Sequence, residues 1–269
     1  MKNFALAFSI FALVNTSGLA KADEVVISGT GMMLETMRQM GDAFMATQPH
    51  TPVRVLPSMG SAGGLKALRD GVLDLSVSAR RLKQAEEEAG IVEEVCVRTA
   101  LVFVTQQRYA SAIKTADLPE IYKASAPVWP DGSPLRVVLR ARSGSEMPYL
   151  AKRVPGLAEA FEIARKRPEL PVGMTDQLNA RVAETTPGAF AIMTLMQIKS
   201  ENLPLEPVTV DGVYPSPQSI HDKSYPFLKK VCVLSRPVAL SESAKAFLAF
   251  MRSDMGADVF MRDGSFPLY

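Results

Sequence analysis

Apolar positions along the first third of this 269-residue chain switch between a period of two and a period near 3.6, and the switches are regular. Val25-Val26-Ile27 reads as a short buried strand, after which Met33, Met37, Met40 and Phe44 recur at helical spacing as one apolar stripe. Val53 and Val55 alternate with polar neighbours as a second strand. Leu65 and Leu68 mark a short helix ended by Gly71, and Leu73, Leu75 and Val77 alternate with Asp74, Ser76 and Ser78 as a third strand. The run over 95–105 is too apolar for a sheet edge. Strand–helix alternation of this kind predicts an α/β fold with a mainly parallel sheet and right-handed crossovers.

The same reading of the remaining chain predicts a helix over 116–123, a Pro/Gly loop over 126–134 around Trp129, and a strand over 135–140. Helices follow over 145–153, 157–167 and 175–184, the last broken by Thr186-Pro187-Gly188 before a strand over 189–193. A strand over 208–210 precedes a stretch over 213–226 whose proline and serine content reads as loop. The chain ends with a strand over 230–234 and one long helix from about Ser241, with Phe247, Met251 and Met255 on one face. Glu86-Glu87-Glu88 reads as a solvated helix face. There is no internal repeat.

Composition narrows the setting. Lys2 followed by an apolar stretch over 4–14, too short to span a bilayer, reads as an export signal, and Ala20-Lys21-Ala22 matches a cleavage site after Ala22. Residues 1–22 are thus expected to be removed, and no cysteine near the cut offers a lipid anchor. Losing Lys2 and Lys21 and no acid takes the formal charge from +2 to zero, which argues against a nucleic-acid partner. No later apolar stretch approaches membrane length. The expectation is a soluble protein of roughly 250 residues exported to a periplasm. Cys96 and Cys232 either pair in that oxidising compartment or remain as buried thiols. With only His50 and His221, both in loop-like settings, no metal or cofactor site is expected.

Three strand-like runs each end in a small hydroxyl-and-glycine turn that opens a helix: Ser28-Gly29-Thr30-Gly31, Gly60-Ser61-Ala62-Gly63-Gly64 and Ser143-Gly144-Ser145. A helix start leaves about four N–H groups unpaired and carries roughly half a positive charge. Taken singly, such residues are ordinary caps, and Ser143 with Glu146 has the spacing of a capping box. Three together at the carboxyl ends of strands make a cage for a small anion. Arg80 closes the third strand and Arg140 the strand that feeds the third turn, and a guanidinium fork suits a tetrahedral oxyanion. A nucleotide phosphate loop is excluded at Gly60–Lys66, which lacks the glycine before lysine and the Ser/Thr after it. Neither histidine has an evident partner for serine hydrolysis, so catalysis is the minor reading.

Laid out in this order, the chain resembles the solute-binding proteins of phosphate-type ABC transporters, a type II periplasmic binding-protein family. Besides the three turns, the resemblance runs through Gly71 to Arg80, Ile121 to Trp129, Thr186-Pro187-Gly188-Ala189-Phe190 and Tyr225-Pro226-Phe227 through Val233. It implies two α/β lobes, 23–104 with 230–269 as lobe I and 105–229 as lobe II, joined by two crossing hinge strands and closing on a ligand. It also implies that Thr30, Gly31, Met32, Ser61, Ala62, Ser78 and Arg80 of lobe I bind the ligand with Arg140, Ser143, Gly144 and Ser145 of lobe II. The implied partners are a small inorganic anion, phosphate first, and the membrane subunits of an ABC transporter, with the binding protein a monomer. The chain departs from that pattern at Ala79, where some members carry a carboxylate that accepts the proton of hydrogen phosphate, and in the spacing of Arg140 from its turn, one residue shorter than expected. Rival readings are a binder of another oxyanion or a small organic phosphate, an accessory sensor of the same fold, and an enzyme with a cleft carboxylate or histidine. Glycine corners that face different directions, or an acidic side chain filling the gap between them, would overturn the anion cage.

Overall fold

The structure, a computed structural model, describes residues 24–106 and 112–269, so the expected export signal and its cleavage site lie outside the described residues. Strand β1 (Val25–Gly29) passes through a 3-10 turn (Gly31–Met33) into helix α1 (Leu34–Thr47), whose Met37, Met40 and Phe44 are wholly buried, as their spacing requires. Then come β2 (Val53–Val55), α2 (Gly60–Arg69), β3 (Leu75–Ser78) and α3 (Gln84–Glu88), and β1 pairs in parallel with both β2 and β3. Next is β4 (Val92–Thr105), 14 residues long.

The middle of the chain contains β5 (Ala112–Ile113), α4 (Leu118–Lys123), β6 (Arg136–Val137), β7 (Leu139–Arg140), α5 (Glu146–Ala151) and α6 (Leu157–Ala164). It continues with β8 (Val172–Gly173), α7 (Asp176–Thr185), β9 (Ala189–Thr194), α8 (Leu195–Ser200), β10 (Glu206–Pro207), β11 (Thr209–Val210) and α9 (Pro217–His221). The chain returns along β12 (Leu228–Ser235) and ends in α10 (Glu242–Met251), α11 (Asp254–Arg262) and β13 (Ser265–Pro267).

The main sheet has the order β2-β1-β3-β12-β4-β9-β6. Its outer pairs are parallel, and every antiparallel pair involves β4 or β12, the two strands that run between the lobes. Two separate cores explain why β4 is apolar along most of its length. Val95 and Val97 pack with Met33, Met37 and Phe247, whereas Ala100 to Val104 pack with Tyr122, Trp129 and Phe190. Cys96 and Cys232 stand opposite each other on β4 and β12, with Cα atoms 4.1 Å apart, and are joined in a disulfide, which closes the alternative left open by sequence.

Three expectations change. The proline-rich stretch contains α9, because Pro217 sits in its first turn, where a missing N–H costs nothing, and Ser216 and Ser219 cap each other reciprocally. The expected final helix is two, since Ser253 stops α10 and caps α11, leaving Met255 half exposed. The run over 135–140 divides into β6 and β7, which pair with different partners, β9 and β8.

Candidate functional site

Close packing at the carboxyl ends of the lobe I strands sets the first corner. Gly29 has φ +145°, and a Cβ there would lie 2.1 Å from the Val77 carbonyl oxygen. A Cβ on Gly64 would lie 2.7 Å from Gly29 Cα, so the first turn of α2 packs directly against β1. The start of α2 then faces the starts of α5 and α7 across the cleft. Between them lies a cavity of about 250 Å³.

Thr30, Ser61, Ala62 and Arg80 line this cavity from lobe I, and Arg140, Ser143, Gly144 and Ser145 line it from lobe II. The structure therefore brings eight of the eleven sequence-singled residues to one place, four of the seven from lobe I and all four from lobe II. The lining does not include Gly31, Met32 or Ser78. Met32 is buried in the lobe I core, and the Ser78 hydroxyl donates to the Arg80 carbonyl at 3.0 Å. Ser61 Oγ accepts from the Ala79 N–H at 3.1 Å, which ties the start of α2 to the end of β3. Ser58, Met59, Gly60, Glu146, Met174, Thr175 and Asp176 complete the wall.

The cationic side chains are already partnered. Arg80 forks onto Glu86 at 2.6 and 2.9 Å, and this hydrogen bond above all holds the Glu86 carboxyl down to about 2. Glu86 is thus not part of a merely solvated face. Arg140 is 4 % exposed; its Nη1 donates to the Gly173 and Thr175 carbonyls at 3.0 and 2.7 Å, and its Nη2 to Glu146 at 3.2 Å and Asp176 at 2.5 Å. Its Nε and Glu146 Oε2 are buried without partners. The capping box read at Ser143 and Glu146 is not formed: the cap position of α5 is Ser145, and the buried Glu146 turns to Arg140 instead.

Asp176 is the functional residue that sequence reasoning missed. It follows Thr175, whose hydroxyl caps α7 by accepting from the Leu178 N–H, so in sequence it looks like any first-turn acid. In space it points across the cleft. Its carboxylate accepts from the Thr30 hydroxyl at 3.3 Å and lies against Gly31, where a Cβ would come within 2.8 Å of Oδ2. Burial first, and then the charge of Glu146, push its pKa up to about 6 against the opposing pull of Arg140. Behind the wall, Lys229 on β12 is 3 % exposed and donates to the Ser145 carbonyl at 3.3 Å. Burial pushes Lys229 down to about 8, although Glu146 and Asp176 draw it up.

An acidic side chain therefore does reach between the corners. With both arginines neutralised by carboxylates, a guest in this cavity is held by hydroxyls and helix-start amides, not by surplus positive charge. A fully ionised anion meets repulsion from Asp176, whereas a guest carrying a proton can donate it to the same carboxylate. Among the described residues, the metal-ligand grouping of Glu93, Cys96 and Cys232 has both sulfurs committed to the disulfide and offers no thiolate.

Comparison with known proteins agrees with the two-lobed fold. The model of the PBP superfamily domain matches residues 15–255. A phosphate-binding protein PstS from Borreliella burgdorferi is 22% identical over 214 residues, covering 77% of each chain. A substrate-binding protein from Clostridium perfringens, assigned to a phosphate ABC transporter and solved with phosphate bound, superposes with a TM-score of 0.77 at 20% identity, over 92% of this chain and 100% of that one. An ABC-type phosphate transport receptor from Vibrio cholerae superposes with a TM-score of 0.61 at 19% identity, over 91% of this chain and 99% of the receptor.

Proposed function

The chain belongs to the PBP superfamily, and from that premise we propose that it is a periplasmic solute-binding protein that captures an inorganic oxyanion, phosphate first, for an ABC-type importer. The observation that carries this reading is the convergence of Ser61 and Ala62 at the start of α2 with Ser143, Gly144 and Ser145 at the start of α5 on one cavity between lobes. Those turns supply N–H and O–H donors in place of an anion's water. Asp176 supports phosphate over sulfate: at neutral pH hydrogen phosphate keeps a proton to donate, and sulfate has none. Ala79 leaves that role empty at the end of β3, and the carboxylate comes instead from the opposite lobe. The three relatives compared above are named for phosphate binding or transport, in line with a non-catalytic role.

A small organic phosphate is the second reading. It is favoured by Met59 and Met174, both in the cavity wall and 41 % and 63 % exposed, which give a carbon substituent an apolar surface. Calorimetric titration of the chain beginning at Asp23 with phosphate, arsenate, sulfate, molybdate and methylphosphonate separates these readings. Saturable binding of phosphate and arsenate without sulfate supports the first, and tighter methylphosphonate binding the second. Silence from all five overturns both and leaves an accessory protein whose arginines serve only its own carboxylates.

A further inference from the structure

The seam between the lobes is already made by the protein's own groups. Asp176 Oδ1 is held by Arg140 within lobe II, and Oδ2 accepts the Thr30 hydroxyl of lobe I. Beside it, Gln177 Nε2 donates to the Gly31 carbonyl at 3.1 Å and to Glu201 at 2.9 Å. The fit leaves no room. A Cβ on Gly31 would lie 2.5 Å from Gln177 Oε1 and 2.8 Å from Asp176 Oδ2, so only glycine permits this approach. Gly31 follows the first of the three corners, where sequence places an anion from solution. The negative charge that this corner meets belongs to the chain itself.

We infer that Asp176 is a built-in latch: its carboxylate takes the Thr30 hydroxyl, packs on Gly31 and so holds the two lobes together in the ligand-free protein. A free anion then binds in the remaining cavity, against Ser61 and the Ser143-Gly144-Ser145 turn, without having to draw the lobes together. The contact is reached from both sides, by a lobe II carboxylate and a lobe I glycine, which allows two independent perturbations. Asp176→Ala removes the carboxylate, and Gly31→Ala inserts a methyl group at a residue outside the positive-φ region, clashing only when the seam is shut. Which anion binds does not enter the argument.

Small-angle scattering of the ligand-free chain from Asp23 tests the latch. The wild type is expected near a radius of gyration of about 18 Å, the value for a compact chain of roughly 250 residues, with no contraction when phosphate is added. Both variants are expected to show a larger radius. Thr30→Val, which keeps the volume and deletes the hydroxyl, should shift the same way should Asp176→Ala fold poorly. A ligand-free wild type as extended as Gly31→Ala, or one that contracts on adding phosphate, overturns the latch. If the variants expand but calorimetry detects no phosphate, the latch stands and the phosphate reading falls. If phosphate binds but the wild-type and variant radii coincide, the reverse holds.

Discussion

Arg140 is better placed to hold the site together than to hold the guest, and truncating it to alanine should show this as lost stability. All four Nη hydrogens are engaged, on two carbonyls and two carboxylates, and the side chain is 4 % exposed. Removing it strands Asp176 and Glu146 side by side in a buried wall. Breaking a buried pair by deleting one partner costs about 3–5 kcal/mol, which at roughly 2–4 °C per kcal/mol for a chain of this size lowers the Tm by roughly 10 °C. The loss depends on pH in a defined direction. In the wild type the Asp176 carboxyl already sits at about 6, above its ordinary 3.8, and without Arg140 its folded-state value rises further. Protonated below that value, it carries no penalty; ionised above it, the buried charge has lost its counterion. The gap between wild type and Arg140→Ala in urea denaturation should therefore widen from pH 5 to pH 8, while Arg140→Lys, which keeps the charge and loses the fork, falls between them. A loss below about 1 kcal/mol, the worth of an exposed pair, or a loss equal at the two pH values, refutes this account of the network.

Two further outcomes follow from the same wall. Asp176→Asn should admit sulfate: unit charges about 4 Å apart at an effective dielectric near 20 repel by about 4 kcal/mol, so removing one is expected to improve sulfate affinity by at least about tenfold, or ~1.4 kcal/mol. Sulfate that stays excluded in calorimetry removes Asp176 from ligand selection. Lys229, pushed down to about 8 by burial, should lose its proton near pH 8 in a carbon-13 NMR titration of the lysine ε-carbons, well before the exposed lysines. A midpoint in their range would show that the ammonium is solvated.

The three corners were legible because each is local. A strand end, a small residue and a helix start follow one another within a few residues, and at Gly29 and Gly64 the close backbone approach leaves no room for a side chain. The Met33–Phe44 stripe was legible for the same reason. What escaped were pairings between residues whose local chemistry already had an ordinary explanation. Asp176 reads as a first-turn acid, and its partner Thr30 is 146 positions away. Glu146 reads as a cap for Ser143, but burial drives it to Arg140, where its charge is compensated. Arg80 looks available until α3 turns Glu86 back onto it. The antiparallel strands around β4 and β12 were hidden too, since strand–helix alternation describes each lobe and is silent on how the chain returns from one to the other.

The central claim is that turns from both lobes bind one anion. It is tested most directly by following backbone amide resonances of the isotopically labelled chain during a phosphate titration. Saturable shifts of Ser61 and Ala62 in lobe I together with Gly144 and Ser145 in lobe II, all with one dissociation constant, are predicted. Shifts confined to one lobe, or none at either set of amides, would contradict it.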